Sequence, residues 1–474
     1  MKERKTFYVT SPIFYPNAAP HIGHAYTTLL CDILARYYRL AGFETYFLTG
    51  TDEHTEKVVK AALTQGREPQ AYLEEVVARF KRLYTHLNIS YDQFIRTSDK
   101  VVHWPGAVAL WKRLEEAGDL YKKEYEGLYC IGHEAFVTEK DLVDGKCPDH
   151  ATVPERIKEE NYFFRLSKYT QPIKEKIISD ELRIVPATRK NEILALLKEG
   201  LQDVSFSRPR EKMTWGIPVP GDETHTMYIW IDALANYLTA LGFGRGDEKM
   251  YFWPGMHVIG KDILRFHAAF WPAMLLSAGL PLPRSLLVHG MILSGGKKMS
   301  KTLGNVIDPE ELLKEYGTDA VRYYLARHIS PFEDGDITLK HFKEVYNADL
   351  ANGLGNLVAR IMKLAEDHLD QGTRPEPAGF PQEYTDAVEE FEINKAADVI
   401  WERITLLDQQ ITDTQPFKVI KEKPEEGKEL ILALTQELYM IGRLLNPFMP
   451  EINKKIKDAV ITNKKPETLF PRKE

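Results

Sequence analysis

Near its start the chain runs through a strand, a proline-broken loop, a helix and a second strand, and no other feature constrains the fold as much. Residues 5–9 are a β-rich run, residues 11–20 carry three prolines, and residues 24–40 have apolar side chains at helical spacing until Gly42 ends them. A second strand is predicted over 44–49. Parallel strands joined through a helix put the first loop at the carboxyl edge of a sheet, where open α/β folds take their ligands.

From residue 121 to 208 this pattern gives way to short β-like pieces around Gly127, Gly132 and Gly145 and a charged helical stretch over 162–199, which reads as an insertion. Strand signals return at 228–231, 257–259 and 286–289. After about residue 336 they stop, leaving amphipathic helices broken at 372–381 and at Pro416, Pro424 and Pro447. The expected divisions are therefore 1–120, the first half of an α/β unit with a parallel sheet; 121–208, the insertion; 209–295, the second half; 296–344, a lysine-rich loop and its continuation; and 345–474, a helical bundle. With 474 residues, 43% hydrophobic and 28% charged, each part is long enough for a core.

The motifs lie in the loops. Pro20-His21-Ile22-Gly23-His24 stands where the first helix begins, so backbone N–H groups and two imidazoles face an anion together, and a flat base could lie against Gly23. A capped helix start explains the same residues. A zinc pair is disfavoured, because two histidines three apart make a poor site without a third ligand. After the last strand, residues 295–305 read Gly-Gly-Lys-Lys-Met-Ser-Lys-Thr-Leu-Gly-Asn, a run that can close on phosphate or remain solvated surface.

Together, a His-x-Gly-His helix start and a Lys-Met-Ser-Lys loop separated by an insertion resemble the class I aminoacyl-tRNA synthetases. Residues 10–17, 50–54, 230–233 and 259–263 narrow the resemblance to the methionyl-tRNA synthetase family. It implies a Rossmann-type catalytic domain, an inserted connective module with a zinc knuckle, and an anticodon-binding bundle. It also implies ATP with Mg²⁺, L-methionine and tRNA(Met) as partners. On this reading His21, Gly23, His24, Lys298 and Lys301 serve ATP, with Thr302 where the family has serine. Ile13, Tyr15, Trp230, Ala233, Leu234, Tyr237, Ile263, Phe266, His267 and Trp271 form the methionine pocket, and Asp52 holds the amino group. An aromatic-rich wall suits a soft thioether. The 273 residues between His24 and Lys298 leave little room for the large editing insertion of the isoleucyl, valyl and leucyl enzymes.

Cys130-Ile131-Gly132-His133 and Cys147-Pro148-Asp149-His150 are two x2-spaced pairs separated by 13 residues, the spacing of a closed structural zinc site. The family has cysteine where His133 stands. Two thiolates against Zn²⁺ leave the site formally neutral. Asn356 and Arg360 share one helix face. The resemblance makes them anticodon readers together with Phe417, where tryptophan is usual and stacking is the expected role.

Formal charge is -7, from 62 basic and 69 acidic residues, so RNA contacts must be local rather than global. No run of roughly 18–20 apolar residues is present, and the start lacks the apolar core of a secretion signal, so we expect a cytoplasmic protein that contacts no membrane. The segment after the bundle is short, and we expect a monomer. Competing readings are a metabolite nucleotidyltransferase, which would lack the bundle; a binding-only paralogue, which would have no need of both halves of a phosphate clamp; and a cysteine synthetase, whose zinc would contact substrate.

Overall fold

The computed structural model describes residues 4–130, 135–137, 139, 142–148, 152–299, 305–376 and 379–474. Six parallel strands form the central sheet: β1 (Thr6–Phe14), β2 (Glu44–Thr51), β3 (Gln93–Arg96), β4 (Arg183–Val185), β5 (Met256–Gly260) and β6 (Ser285–His289). Their order is β3-β2-β1-β5-β6-β4, so the chain leaves β1 to one side and returns to its other side at β5. That reversal is the topological switch point.

Helix α1 (Ile22–Leu40) joins β1 to β2, as expected, and starts two residues before the predicted position. Alternate strand residues enter opposite apolar layers. Val9, Phe47, Val258 and Leu287 face α1, while Tyr8, Leu48, Ile259 and Leu286 face the other side. The α1 layer continues without a break into the C-terminal bundle, through Tyr323, Leu357, Ile400 and Ile456.

Four local expectations change. Residues 11–14 continue β1 although Pro12 lacks an N–H. Beyond Thr10 the strand pairs only with β2, across a register shift between Thr10 and Ile13, so the missing donor faces no partner strand. The strand expected at 228–231 is instead Asp222–Met227, and helix α2 (Ile229–Thr239) follows it. The stretch 162–199 opens with the end of strand Glu155–Phe164 and then holds helices Thr170–Ile178 and Ala187–Glu199, with β4 between them. Because β4 pairs with β6, part of the 121–208 segment belongs to the central sheet. The rest forms a long antiparallel pair, Leu120–Cys130 with Glu155–Phe164.

Lys297 and Lys298 sit on a hairpin with Ile292–Ser294. Gly295 and Gly296, at φ 62° and 72°, make its two-residue turn, which needs positive φ at both positions. In the bundle, Pro416, Pro424 and Pro450 each open a helix at its first residue, where the missing N–H costs nothing. Among the described residues no helix is long and apolar enough to cross a membrane.

Candidate active site

Only Val9 and Thr10 of β1 pair with β5, whereas β2 follows β1 as far as Phe14. The two central strands therefore separate at the switch point and open a cavity of about 390 Å³. Its walls come from the end of β1 (Ile13, Tyr15), the first turn of α1 (His21, Gly23, His24), Asp52 after β2, Trp230, Ala233, Leu234 and Tyr237 on α2, Ile263 and His267 after β5, and Lys298 on the hairpin. Thirteen residues expected from the sequence thus meet in one crevice. Lys301 lies outside the described residues.

The start of α1 is a reciprocal cap. His21 Nδ1 accepts the Gly23 N–H at 3.1 Å, and His24 Nδ1 accepts the His21 N–H at 3.0 Å. With both Nδ1 lone pairs engaged, each neutral ring carries its proton on Nε2. Burial lowers the pKa of both imidazoles, and His24, which also feels the neighbouring His21, lies well below the usual range. Near neutrality they are two neutral donors beside the helix N-terminus. A Cβ on Gly23 would lie 2.9 Å from His21 Cε1, so a side chain there would collide with the His21 ring, while the glycine itself lines the cavity.

The apolar end of the cavity is held by two layers. In the first, the Tyr237 hydroxyl donates to His267 Nε2 at 2.7 Å, and His267 Nδ1 donates to the Ile263 carbonyl at 3.0 Å. Burial brings the pKa of His267 down to about 4, so near neutrality the ring is an uncharged acceptor. In the second layer Tyr237 stacks on His257 at 4.0 Å, and the fully buried Trp271 donates from Nε1 to His257 Nε2 at 3.1 Å. His257 Nδ1 in turn bonds Thr10 Oγ1 at 2.7 Å. Trp271 and Phe266, both expected in the pocket, stand behind its wall, and Phe266 stacks on Trp230 at 3.6 Å. The result is a neutral, aromatic surface.

Three further residues line the cavity, of which Asp262 belongs to the 259–263 motif while His289 and Asn236 belong to none. His289, at the end of β6, donates from Nδ1 to the Gly290 carbonyl and accepts the Thr27 hydroxyl at Nε2. Asp262 lies just past β5. Asn236 shares the α2 face of Ala233 and Tyr237, a helical spacing that could have revealed it. Its Nδ2 donates to the Ala233 carbonyl at 2.6 Å, and among the described residues neither its buried Oδ1 nor the Trp230 Nε1 has a hydrogen-bond partner.

The other expected sites lie away from this crevice. Cys130 and Cys147 are both buried, while His133 and His150 fall outside the described residues. Among the described residues no three His, Cys, Asp or Glu side chains gather as a metal site. Asn356 is exposed at the start of helix Asn356–His368, Arg360 one turn later pairs with Asp408 at 2.5 Å, and Phe417 is 42% exposed on helix Pro416–Glu422.

Comparison with known proteins follows this division. A family model described as class I tRNA synthetases (M) matches residues 7–153 and 141–362. The methionine–tRNA ligase of Clostridium acetobutylicum is 42% identical over 96% of this chain and 73% of its own length, and that of Thermotoga maritima is 39% identical over 97% and 76%. A Mycobacterium tuberculosis methionyl-tRNA synthetase structure in complex with methionyl-adenylate superposes with a TM-score of 0.90 at 36% identity, covering 99% of this chain and all of that one.

Proposed function

The chain belongs to the methionyl group of the class I tRNA synthetases, and from that premise we propose how its own residues serve a methionine–tRNA ligase. The enzyme activates L-methionine with ATP and transfers it to tRNA(Met). The observation that carries the site reading is the cavity itself, which joins an uncharged aromatic wall to a helix N-terminus bearing two Nε2–H donors.

In the first step a methionine carboxylate oxygen bonds to the α-phosphorus of ATP and the bond to the pyrophosphate oxygen breaks. No protein nucleophile is needed, only in-line placement and stabilisation of the charge on the departing phosphates. His21 and His24 donate to phosphate from one side, Lys298 approaches from the hairpin, and Lys301 supplies a second cation to the same phosphates. Mg²⁺ enters as the ATP complex and shields phosphate charge. Asp52 receives the ammonium group, and Tyr237, His267, Ile13 and Trp230 enclose the thioether. Because His267 and the Tyr237 hydroxyl satisfy each other, a methionine side chain leaves neither of them unpaired, while a charged side chain would meet no counter-charge. Methionine-dependent exchange of pyrophosphate into ATP, measured with each of the twenty amino acids and no tRNA, tests the reading. Exchange with methionine alone is expected, and silence with all twenty would overturn it.

In the second step a hydroxyl of the tRNA's terminal ribose attacks the methionyl carbonyl, the bond to the phosphate oxygen breaks and AMP leaves, while the bundle recognises the anticodon through Asn356, Arg360 and Phe417. We further propose one structural Zn²⁺ held by Cys130, Cys147, His133 and His150. Burial of both thiols, at 0% and 1% exposure, is what supports the fit. About one equivalent of zinc per chain in protein purified without chelator is expected. A monomer in sedimentation is expected as well.

A further inference from the structure

The segment 50–54 and the segment 230–233 lie far apart in sequence and meet through two histidines and one carboxylate. His54 Nδ1 lies 2.6 Å from Asp232 Oδ2, and His103 Nε2 lies 2.7 Å from Asp232 Oδ1. A carboxylate only accepts, so both imidazoles donate. His103 Nδ1 also bonds the Thr239 hydroxyl, 2.8 Å away, and thus holds α2 at two points two turns apart. All four side chains are buried, with exposures of 3% or less. Burial opposes ionisation of Asp232, but His54 and His103 outweigh it and bring the carboxyl down to about 2, so it is an anion at neutral pH.

Asp232 does not line the cavity, and neither does His54 or His103. Their neighbours do. Asp52 stands two residues before His54, while Trp230, Ala233, Leu234 and Tyr237 surround Asp232 on α2. The residue between Asp52 and His54 is tied in a different direction. Glu53 accepts from Arg96 and Thr51 at 2.7 and 2.6 Å and also from Ser98, so the turn is fixed to β3 on one side and to α2 on the other. Losing the α2 anchor would leave Asp52 attached to the sheet but out of register with the aromatic wall.

Resting on the methionine reading above, we propose that Asp232 is a positioning residue for the amino acid: bridged by His54 and His103, it locks the Asp52 turn to α2 and sets the distance between ammonium subsite and thioether wall. A ligand that spans both subsites feels this distance, and a ligand that touches only the wall does not. That difference separates positioning from general support of the fold.

The test uses the full chain in methionine-dependent pyrophosphate exchange. Asp232→Asn and His54→Leu are expected to raise KM for methionine by about 30-fold, with kcat and KM for ATP within about threefold of the parent. His54→Asn, which can donate from near the Nδ1 position, restores most of the loss. The inhibition constant of the methionine analogue lacking the α-amino group changes by less than about twofold. On an Asp52→Asn background, His54→Leu adds little, because the two act through one contact. Equal losses for methionine and the deamino analogue, full additivity with Asp52→Asn, or an unchanged KM in the folded His54→Leu and Asp232→Asn variants would each overturn the proposal. A parent enzyme silent with methionine would instead overturn the methionine reading on which it rests.

Discussion

In the cavity between β1 and β5, the side chains that face a ligand are held from behind by others, as Tyr237 is by His267 and His257. On the bundle, Asn356 and Phe417 stand in solvent, and Arg360 is paired with Asp408. The first region is preorganised for a small molecule, whose few contacts must each count. The second is suited to a polymer, which can spread its recognition over many contacts and order side chains as it binds. Charge chemistry divides the same way. Every histidine except His368 precedes residue 345, and burial depresses the pKa of five of them: His21, His24, His257, His267 and His289.

The largest effect that would sharpen this contrast is expected at His24. His24→Ala removes a donor from the phosphate cradle and the acceptor of the His21 N–H, and should slow adenylate formation by about 10²–10³-fold with little change in methionine binding. Single-turnover formation of methionyl-adenylate, followed without tRNA, measures it. An undiminished rate would put phosphate binding elsewhere. Next comes acid. The folded pKa of His267 is about 4, against 6.5 for the unfolded ring, so below pH 6.5 the unfolded chain binds the extra proton. Stability is fully present above pH 6.5 and is lost as pH falls towards 4, by roughly 3 kcal/mol from this group alone. Urea unfolding at stepped pH, followed by tryptophan fluorescence, checks it. A flat profile over that window would mean that His267 is charged in the folded state.

Where the sequence was legible, one period ruled a whole element. The β1-α1-β2 unit shows an apolar repeat that switches from strand to helix and stops at Gly42, so its loop and the two histidines could be placed on the sheet edge. The start of α2 reads as a strand at 228–231 because nearly every residue of that helix is buried, which erases the polar face that marks a helix. The strand before it, Asp222–Met227, hides behind charged residues. β4 is only three residues long and leaves no pattern. The motif histidines were visible because their neighbours are local. The second layer was not, since His257 meets Thr10 247 positions away and His289 meets Thr27 262 positions away, and no local signal encodes such pairs. Phe266 and Trp271 share the segment after β5 with residues that line the pocket, but Trp271 is buried behind the wall and the half-buried Phe266 stacks on Trp230.

Two smaller effects would break the comparison if they failed. Arg360→Ala should lower transfer to tRNA by about tenfold and leave pyrophosphate exchange untouched, since Arg360 lies outside the cavity and one good base or phosphate contact is worth about 1–3 kcal/mol. Parallel loss of both steps would make Arg360 a packing residue and the bundle face a structural surface. Asp408→Ala probes the cost of the existing pair. An exposed ion pair contributes only about 0–1 kcal/mol, so releasing Arg360 should change KM for tRNA by less than about fivefold, in the direction of tighter binding. That sign follows from competition: RNA must displace the Asp408 carboxylate before a base or phosphate can take its place, and the variant removes both the competitor and a negative charge that repels the phosphate backbone. A weaker KM would show that Asp408 holds Arg360 in its reading geometry, and the bundle would then be preorganised like the cavity.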